Sequence, residues 1–317
     1  MTAAFAMSLT DLRSTFGSRL KLGEPLARYT SSRVGGPADY LAIANSAGEL
    51  AELVRAAWNL GVQPLILGGG SNILVSDTGV RGLVILNRAR ALEFRPPAAD
   101  GSASVWAESG ANLGALARQC SLRGLAGLEW AATVPGTVGG AVFGNAGAHG
   151  GDLAGSLVLA EILQQDGTVR RWPSADLAFE YRGSRLKALK AQGRQAVILA
   201  AELRLSAGEP AALQVSMEEF AAHRRRTQPP GASLGSMFKN PPGDYAGRLI
   251  EAAGLKGARL GQAQISPLHA NFFVNLGQAR AADILALIHQ AHQAVLEQSG
   301  VDLQLEVELV GDWSRPS

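Results

Sequence analysis

Cysteine is nearly absent from this chain, and it has no long apolar run and no basic block interleaved with aromatics. The single cysteine, Cys120, excludes an internal disulfide framework and any cysteine-rich metal site, and it fits a reducing compartment. No stretch approaches the roughly 20 apolar residues of a membrane span, and the opening segment, "MTAAFAMSLTDLR", has no basic n-region. The sequence therefore reads as cytoplasmic, without a membrane partner. Charge is sparse at 18%, with 29 Lys+Arg against 27 Asp+Glu, a formal +2. No basic block with interleaved aromatics marks a nucleic-acid groove, so no nucleic-acid partner is expected.

What the chain has instead is core and glycine. Its 317 residues, 47% of them hydrophobic, suffice for two or three packed domains. It has 38 glycines, most densely grouped in "LGGGSN" at 67–72 and "VPGTVGGAVFGNAGAHGG" at 134–151. The first cluster follows a strand-like run, as a phosphate cradle would, because backbone N–H groups can approach a ligand where no Cβ intervenes. It is neither a Rossmann nor a P-loop fingerprint: the G-x-G-x-x-G spacing is absent and no Gly-Lys-Ser/Thr follows. A plain tight turn stays open beside the cradle. The second cluster suits a flat ligand or, equally in kind, close helix–sheet packing.

Periodicity organises the rest. Residues 46–60 place Leu50, Leu53, Val54, Ala57 and Leu60 on one helical face, with Ser46 as N-cap and Gly61 just past the end. Short apolar runs at 64–67, 83–86 and 104–108 predict strands, and 112–123 a second helix. Residues 156–172 read as a hairpin turning at Asp166-Gly167, followed by a strand at 196–205. A boundary near 206–210 divides the chain into 1–207 and 208–317. Beyond it, "GASLGSMFKNPPG" at 231–243 scans as an ordered loop holding Ser236. A helix follows at 244–253, with Asp244 as N-cap and Gly254 as stop. A strand at 271–276, a helix at 280–298 and a final strand at 301–310 complete the pattern. That last strand sets Val301, Leu303, Leu305, Val307 and Leu309 against Glu306 and Glu308 on the other face.

Seven segments, in order, carry a resemblance: "SSRVGGPADYL" (31–41), "LGGGSNILVSD" (67–77), "GLEWAATVPGTVGGAVFGNAGAHG" (127–150), "FEYRGSRLK" (179–187), "GSMFKNPPGDYAGRLIEAAGLKG" (235–257), "QISPLHANFFVN" (264–275) and "LEVELVG" (305–311). Together the chain resembles the UDP-N-acetylenolpyruvoylglucosamine reductase family, over nearly its whole length. The resemblance implies an α+β fold: an FAD-binding part of the vanillyl-alcohol oxidase (PCMH) type in two subdomains, of about 20–88 and 89–207, and a C-terminal α+β substrate-binding domain. It implies reduction of UDP-N-acetylglucosamine enolpyruvate to UDP-N-acetylmuramate, a step of peptidoglycan precursor synthesis, with non-covalent FAD and NADPH as hydride donor.

It also implies roles for residues. Ser236 corresponds to the family's proton donor, Arg182 to the arginine facing the developing enolate, and Glu306 to the catalytic glutamate. Cofactor contacts are expected from Arg33, Gly68, Gly69, Gly70, Ser71, Asn72, Pro135, Gly136, Gly139, Gly140, Asn145 and Gly147. Substrate contacts are expected from Tyr181, Lys239 and Asn240. An acyl-transfer nucleophile at Ser236 is disfavoured, because G-x-S-x-G is broken by Gly235-Ser236-Met237-Phe238. Alternation alone does not choose between Glu306 and Glu308, and Arg224, Arg225 and Arg226 are open for the diphosphate or for solvent. His289 and His292 lack a carboxylate partner for a metal, so none is expected. Leu305 and Glu308 stand where many relatives carry proline and arginine. The span after Arg182 is short, as in the subgroup lacking a tyrosine-bearing loop. An alcohol oxidase on the same fold and a nucleotide-binding module without chemistry are the alternatives. The sequence does not fix the oligomeric state; a monomer is compatible with it.

Overall fold

The computed structural model describes residues 11–95 and 97–313. The first ten residues, included above in the reading of the opening segment, and 314–317 of the expected second region lie outside the described residues. The chain forms two compact units. Among the described residues the first comprises 11–21, Leu41–Gly69 and Gly82–Ala222, and the second Leu22–Tyr40, Gly70–Arg81 and 223–313.

In the first unit a six-stranded antiparallel sheet runs in the order Val169–Pro173, Leu157–Gln164, Ala196–Ala207, Ser102–Glu108, Leu92–Arg95, with Leu125–Ala126 also pairing with Ala196–Ala207. The central strand, Ala196–Ala207, is buried without a break from Val197 to Ala201. Helices Ala47–Asn59 and Val138–Gly144 pack against it. That is why "AVILAA" is a continuous apolar run rather than an alternating one. The expected hairpin is present: Leu163 faces Val169, Gly167 turns at φ +81°, and the Asp166 carboxylate accepts from the Thr168 amide at 2.9 Å. Helix Ala47–Asn59 starts where its cap says, the Ser46 hydroxyl accepting the Glu49 amide at 3.1 Å. Helix Leu113–Leu122 is capped likewise, by Asn112 on the Ala115 amide at 2.8 Å. Cys120 on this helix is fully buried, which pushes its thiol up to about 12.

The second unit holds an antiparallel sheet in the order Ala232–Ser236, Phe272–Asn275, Ala263–Ile265, Arg259–Leu260. Helix Ala281–Ser299 packs on Ala263–Ile265 and on helix Ala246–Ala252 around a core of Met237, Phe238, Ile265, Phe273, Ile284 and Leu287. Three expectations are corrected here. Ser236 ends a strand rather than lying in a loop. The strand escapes pattern reading because its register shifts between Ser233 and Ser236, and Gly235, at φ +78°, supplies the kink. Asp244 does not cap the next helix. Its carboxylate is taken by Arg248 and the Tyr245 amide, and the Asn240 carboxamide accepts the Ala246 amide instead, at 3.1 Å. Finally, 301–310 is not one strand. Only Glu308–Val310 is, running parallel to Ile73–Val75, while the chain bends at 306–307. Leu303 and Val307 are buried as alternation predicts, but past the bend Leu309 is 38% exposed.

Candidate active site

In the first unit the two glycine clusters meet backbone to backbone. A methyl on Gly69 would lie 2.8 Å from the Gly136 Cα, one on Gly68 2.5 Å from the Thr137 hydroxyl, and one on Gly139 2.9 Å from the Ser109 Cβ. The glycines are thus required by close approach of the segments, which the sequence left open against a ligand cradle. A ligand cradle is compatible with the same arrangement. Gly140 and Gly144, on helix Val138–Gly144, face open space: beyond the helix's own backbone and among the described residues, a Cβ on Gly140 would meet only the Thr137 hydroxyl within 4 Å and one on Gly144 nothing. Such a surface, bare of side chains, fits the flat ring system or the pyrophosphate of a flavin nucleotide. In the second unit, Ser32 is 1% exposed and its hydroxyl has no hydrogen-bond partner among the described residues, while the neighbouring Arg33 stands exposed at φ +55°. A buried hydroxyl in that condition is a donor held ready for an acceptor that the described residues do not provide.

Arg182 sits in a tight turn of the first unit, Glu180–Gly183, itself at φ +56°. Its guanidinium donates to the Gly147 carbonyl at 3.1 Å and lies 5.6 Å from the ring of Tyr181, which is 56% exposed. The turn is braced from below by Asn145. This residue ends helix Val138–Gly144 in the left-handed region, is 6% exposed, donates to the Glu180 carbonyl at 3.1 Å and accepts the Ala154 amide at 3.0 Å. The carboxamide of Asn145, expected to touch cofactor, is therefore engaged within the protein.

In the second unit Ser236, half-buried, ends strand Ala232–Ser236 opposite Phe272. The segment after it turns inward, with Met237 and Phe238 in the core. The Glu306 amide donates to the Met237 carbonyl at 2.8 Å, so Ser236 and Glu306 are anchored to one short stretch of backbone. Asn72 holds the other side of that segment: its carboxamide donates to the Glu306 carbonyl at 3.1 Å, and its own carbonyl accepts the Glu308 amide at 3.0 Å. Glu306 and Glu308 are both half-buried, and the bend between them removes the simple two-residue repeat that made them equivalent. Lys239 is half-buried and Asn240 is exposed but committed to its helix. Burial lowers the pKa of Arg224 from its ordinary value, whereas Arg225 and Arg226 stand exposed.

Two polar residues of the glycine region were not singled out by sequence. Thr137 caps helix Val138–Gly144, accepting the Gly140 amide at 3.4 Å, and Ser109, 1% exposed, takes a 2.8 Å bond from Asn87 beneath Gly139. Thr137 had a legible signal, a threonine directly before a run of small helical residues. Ser109 had none. Among the described residues no group of three or more His, Cys, Asp or Glu gathers as metal ligands, and no helix is long and apolar enough to cross a membrane.

Residues 38–172 match the FAD binding domain family, and 227–310 match the UDP-N-acetylenolpyruvoylglucosamine reductase C-terminal domain family. The chain is 47% identical over 293 residues to a UDP-N-acetylenolpyruvoylglucosamine reductase of Chloroflexus aggregans, covering 92% of this chain and 97% of that protein. It is 47% identical over 303 residues to UDP-N-acetylenolpyruvoylglucosamine reductase 2 of Symbiobacterium thermophilum, covering 94% and 95%. The crystal structure of the reductase from Thermus caldophilus superposes with a TM-score of 0.76 at 37% identity, covering 92% of this chain and 99% of that one. The expected α+β, FAD-binding fold, the cofactor FAD and the class of oxidoreductase are borne out. With nearly half its residues identical to these relatives across almost its whole length, the chain belongs to the UDP-N-acetylenolpyruvoylglucosamine reductase family.

Proposed function

We propose that this chain uses NADPH to reduce the enolpyruvyl ether of UDP-N-acetylglucosamine enolpyruvate, giving UDP-N-acetylmuramate in peptidoglycan precursor synthesis, and that it acts in the cytoplasm. A bound FAD would supply the hydride chemistry between NADPH and the β-carbon of the enolpyruvyl group, and the glycine surface that includes Gly68, Gly69, Gly136, Gly139 and Gly140 would hold it. The chain's own residues then deal with the charge and the proton. Ser236 delivers its hydroxyl proton to the α-carbon, so the C=C bond is replaced by two C–H bonds, NADPH leaves as NADP+, and the serine oxygen regains a proton from solvent. A hydroxyl is a weak acid, but the carbanion is so basic that placement matters more than pKa; positioned proton transfer is typically worth about 10²–10⁴ in rate. Arg182 faces the substrate carboxylate, where its fixed, forked charge stabilises the enolate. Glu306 polarises or protonates the intermediate, Tyr181, Lys239 and Asn240 contact substrate, and the cofactor-binding assignments given above belong to the same proposal, as does the division at 207/208.

The observation that carries this reading is the setting of Ser236: a half-exposed hydroxyl on a bulged strand end, with the next residue tied to the backbone of Glu306. A nucleophile would need a base and a sharper elbow. The test separates the half-reactions of FAD-loaded protein under anaerobic conditions. In Ser236→Ala, NADPH should bleach the flavin at near-normal rate, while reoxidation by UDP-N-acetylglucosamine enolpyruvate should slow about 10²- to 10⁴-fold. Equal loss in both halves would sink the proton-donor role. An alcohol oxidase would instead show no NADPH consumption, and a nucleotide-binding module no flavin turnover at all.

A further inference from the structure

The three residues that follow Ser236 have every backbone amide taken. Met237 donates to the Asn271 carbonyl at 2.9 Å, Phe238 to the Asn271 side-chain oxygen at 2.9 Å, and Lys239 to the Gln304 carbonyl at 2.8 Å. The Phe238 carbonyl accepts from the Asn271 side-chain nitrogen at 2.8 Å. Asn271 therefore grips both polar groups of one residue, much as a neighbouring strand would, because a carboxamide carries a donor and an acceptor on one planar group. It is 2% exposed, so these bonds form away from water, where losing one is expensive. Its own amide donates to the His269 ring nitrogen Nδ1 at 3.2 Å, which fixes the clamp from behind. Ser236 directly precedes the gripped segment, and the Glu306 amide hangs from the Met237 carbonyl.

We propose that Asn271 is a positioning residue for proton transfer: its side-chain clamp on Phe238 sets where the Ser236 hydroxyl and the Glu306 segment stand. The inference rests on the proton-donor reading above. Displacement of a catalytic group by about 1 Å can cost on the order of 10² in rate. Aspartate at 271 keeps the shape and the acceptor but loses the donor toward the Phe238 carbonyl until it is protonated; alanine loses both.

The experiment compares Asn271→Asp and Asn271→Ala with wild type and Ser236→Ala, all FAD-loaded. Both Asn271 variants should keep flavin reduction by NADPH within about twofold, and slow reoxidation by substrate about 10- to 100-fold with a larger solvent isotope effect. The Asp deficit should shrink as pH falls and the buried carboxyl protonates, while the Ala deficit should not. His269, the titratable neighbour behind the clamp, is common to both variants, so their difference isolates position 271. Amide hydrogen exchange at Phe238 should accelerate in Asn271→Ala. If Ala does not fold, the pH response of Asp alone decides. Normal reoxidation in Asn271→Asp beside a crippled Ser236→Ala overturns the positioning role and spares the proton donor. Equal slowing of both half-reactions, or a deficit without pH rescue, overturns it too. An unimpaired Ser236→Ala removes the reading on which it rests.

Discussion

At Gly235 an added methyl would meet nothing within 4 Å, yet the backbone stands at φ +78°; at Gly69 the backbone is ordinary, yet a methyl would press on the Gly136 Cα at 2.8 Å. The two glycines answer to different physics, so their alanine variants should behave differently. Gly235→Ala should cost roughly 1–2 kcal/mol of backbone strain, read as a lower urea midpoint with unchanged slope and unchanged FAD affinity. Gly69→Ala should cost about 1–3 kcal/mol by overpacking, and should also weaken FAD binding in a fluorescence titration. His269 gives a pH signature. Burial lowers its pKa below 6.5, helped by the charge of Lys256 and opposed by Glu251. Its Nδ1 accepts the Asn271 amide, which needs the neutral ring. A depressed folded pKa means the unfolded chain binds protons more readily, so this contribution is complete above pH 6.5 and is lost as pH falls from there through the folded value. Denaturation midpoints should fall over that window, and less so in a His269→Gln variant. Single residues were the least legible scale. Ser236, Arg182 and Glu306 stand out only through the long motifs around them, and the brace at Asn271 is invisible because it is made across 33 positions of sequence.

Elements were legible where their signals are local. The helix read over 46–60 from its stripe and its serine is Ala47–Asn59, and Ser46→Ala should cost about 1 kcal/mol, seen as a lower thermal midpoint. The 156–172 hairpin and the 196–205 strand likewise carried their own turn and run. Reading failed where a distant partner sets the geometry. The alternation of 301–310 breaks because the Gln304 carbonyl and the Glu306 amide turn to meet Lys239 and Met237. Strand Ala232–Ser236 was missed because Gly235 and the bulge erase its period. Asp244 looked like a cap, but a carboxylate four residues before an arginine can pair with Arg248 instead, leaving the cap to Asn240. Asn240→Ala should therefore lower the thermal midpoint as well as raise the KM for the UDP-sugar, whereas Asp244→Ala should leave both nearly unchanged. A KM effect without a stability loss would contradict the capping role.

At the level of the whole molecule the class was legible. Composition and motif order are enough for an α+β flavoprotein, but the second unit takes in 22–40 and 70–81, far from its main block in sequence, and no local pattern announces that. Because FAD should bind only the folded chain, its excess should stabilise by mass action, about 2.7 kcal/mol at 100 times the dissociation constant. Calorimetry at several FAD concentrations should show the melting temperature climbing with the logarithm of free flavin; a constant temperature would argue that the glycine surface does not hold the cofactor. Cys120, the chain's one thiol, adds an internal clock. Sealed in the core with its pKa near 12, it is silent to thiol reagents while that core is closed. The rate at which a chromogenic disulfide labels it, compared with the rate on unfolded chain, would time the opening of the first unit's interior in the native enzyme, with no dye and no engineered site.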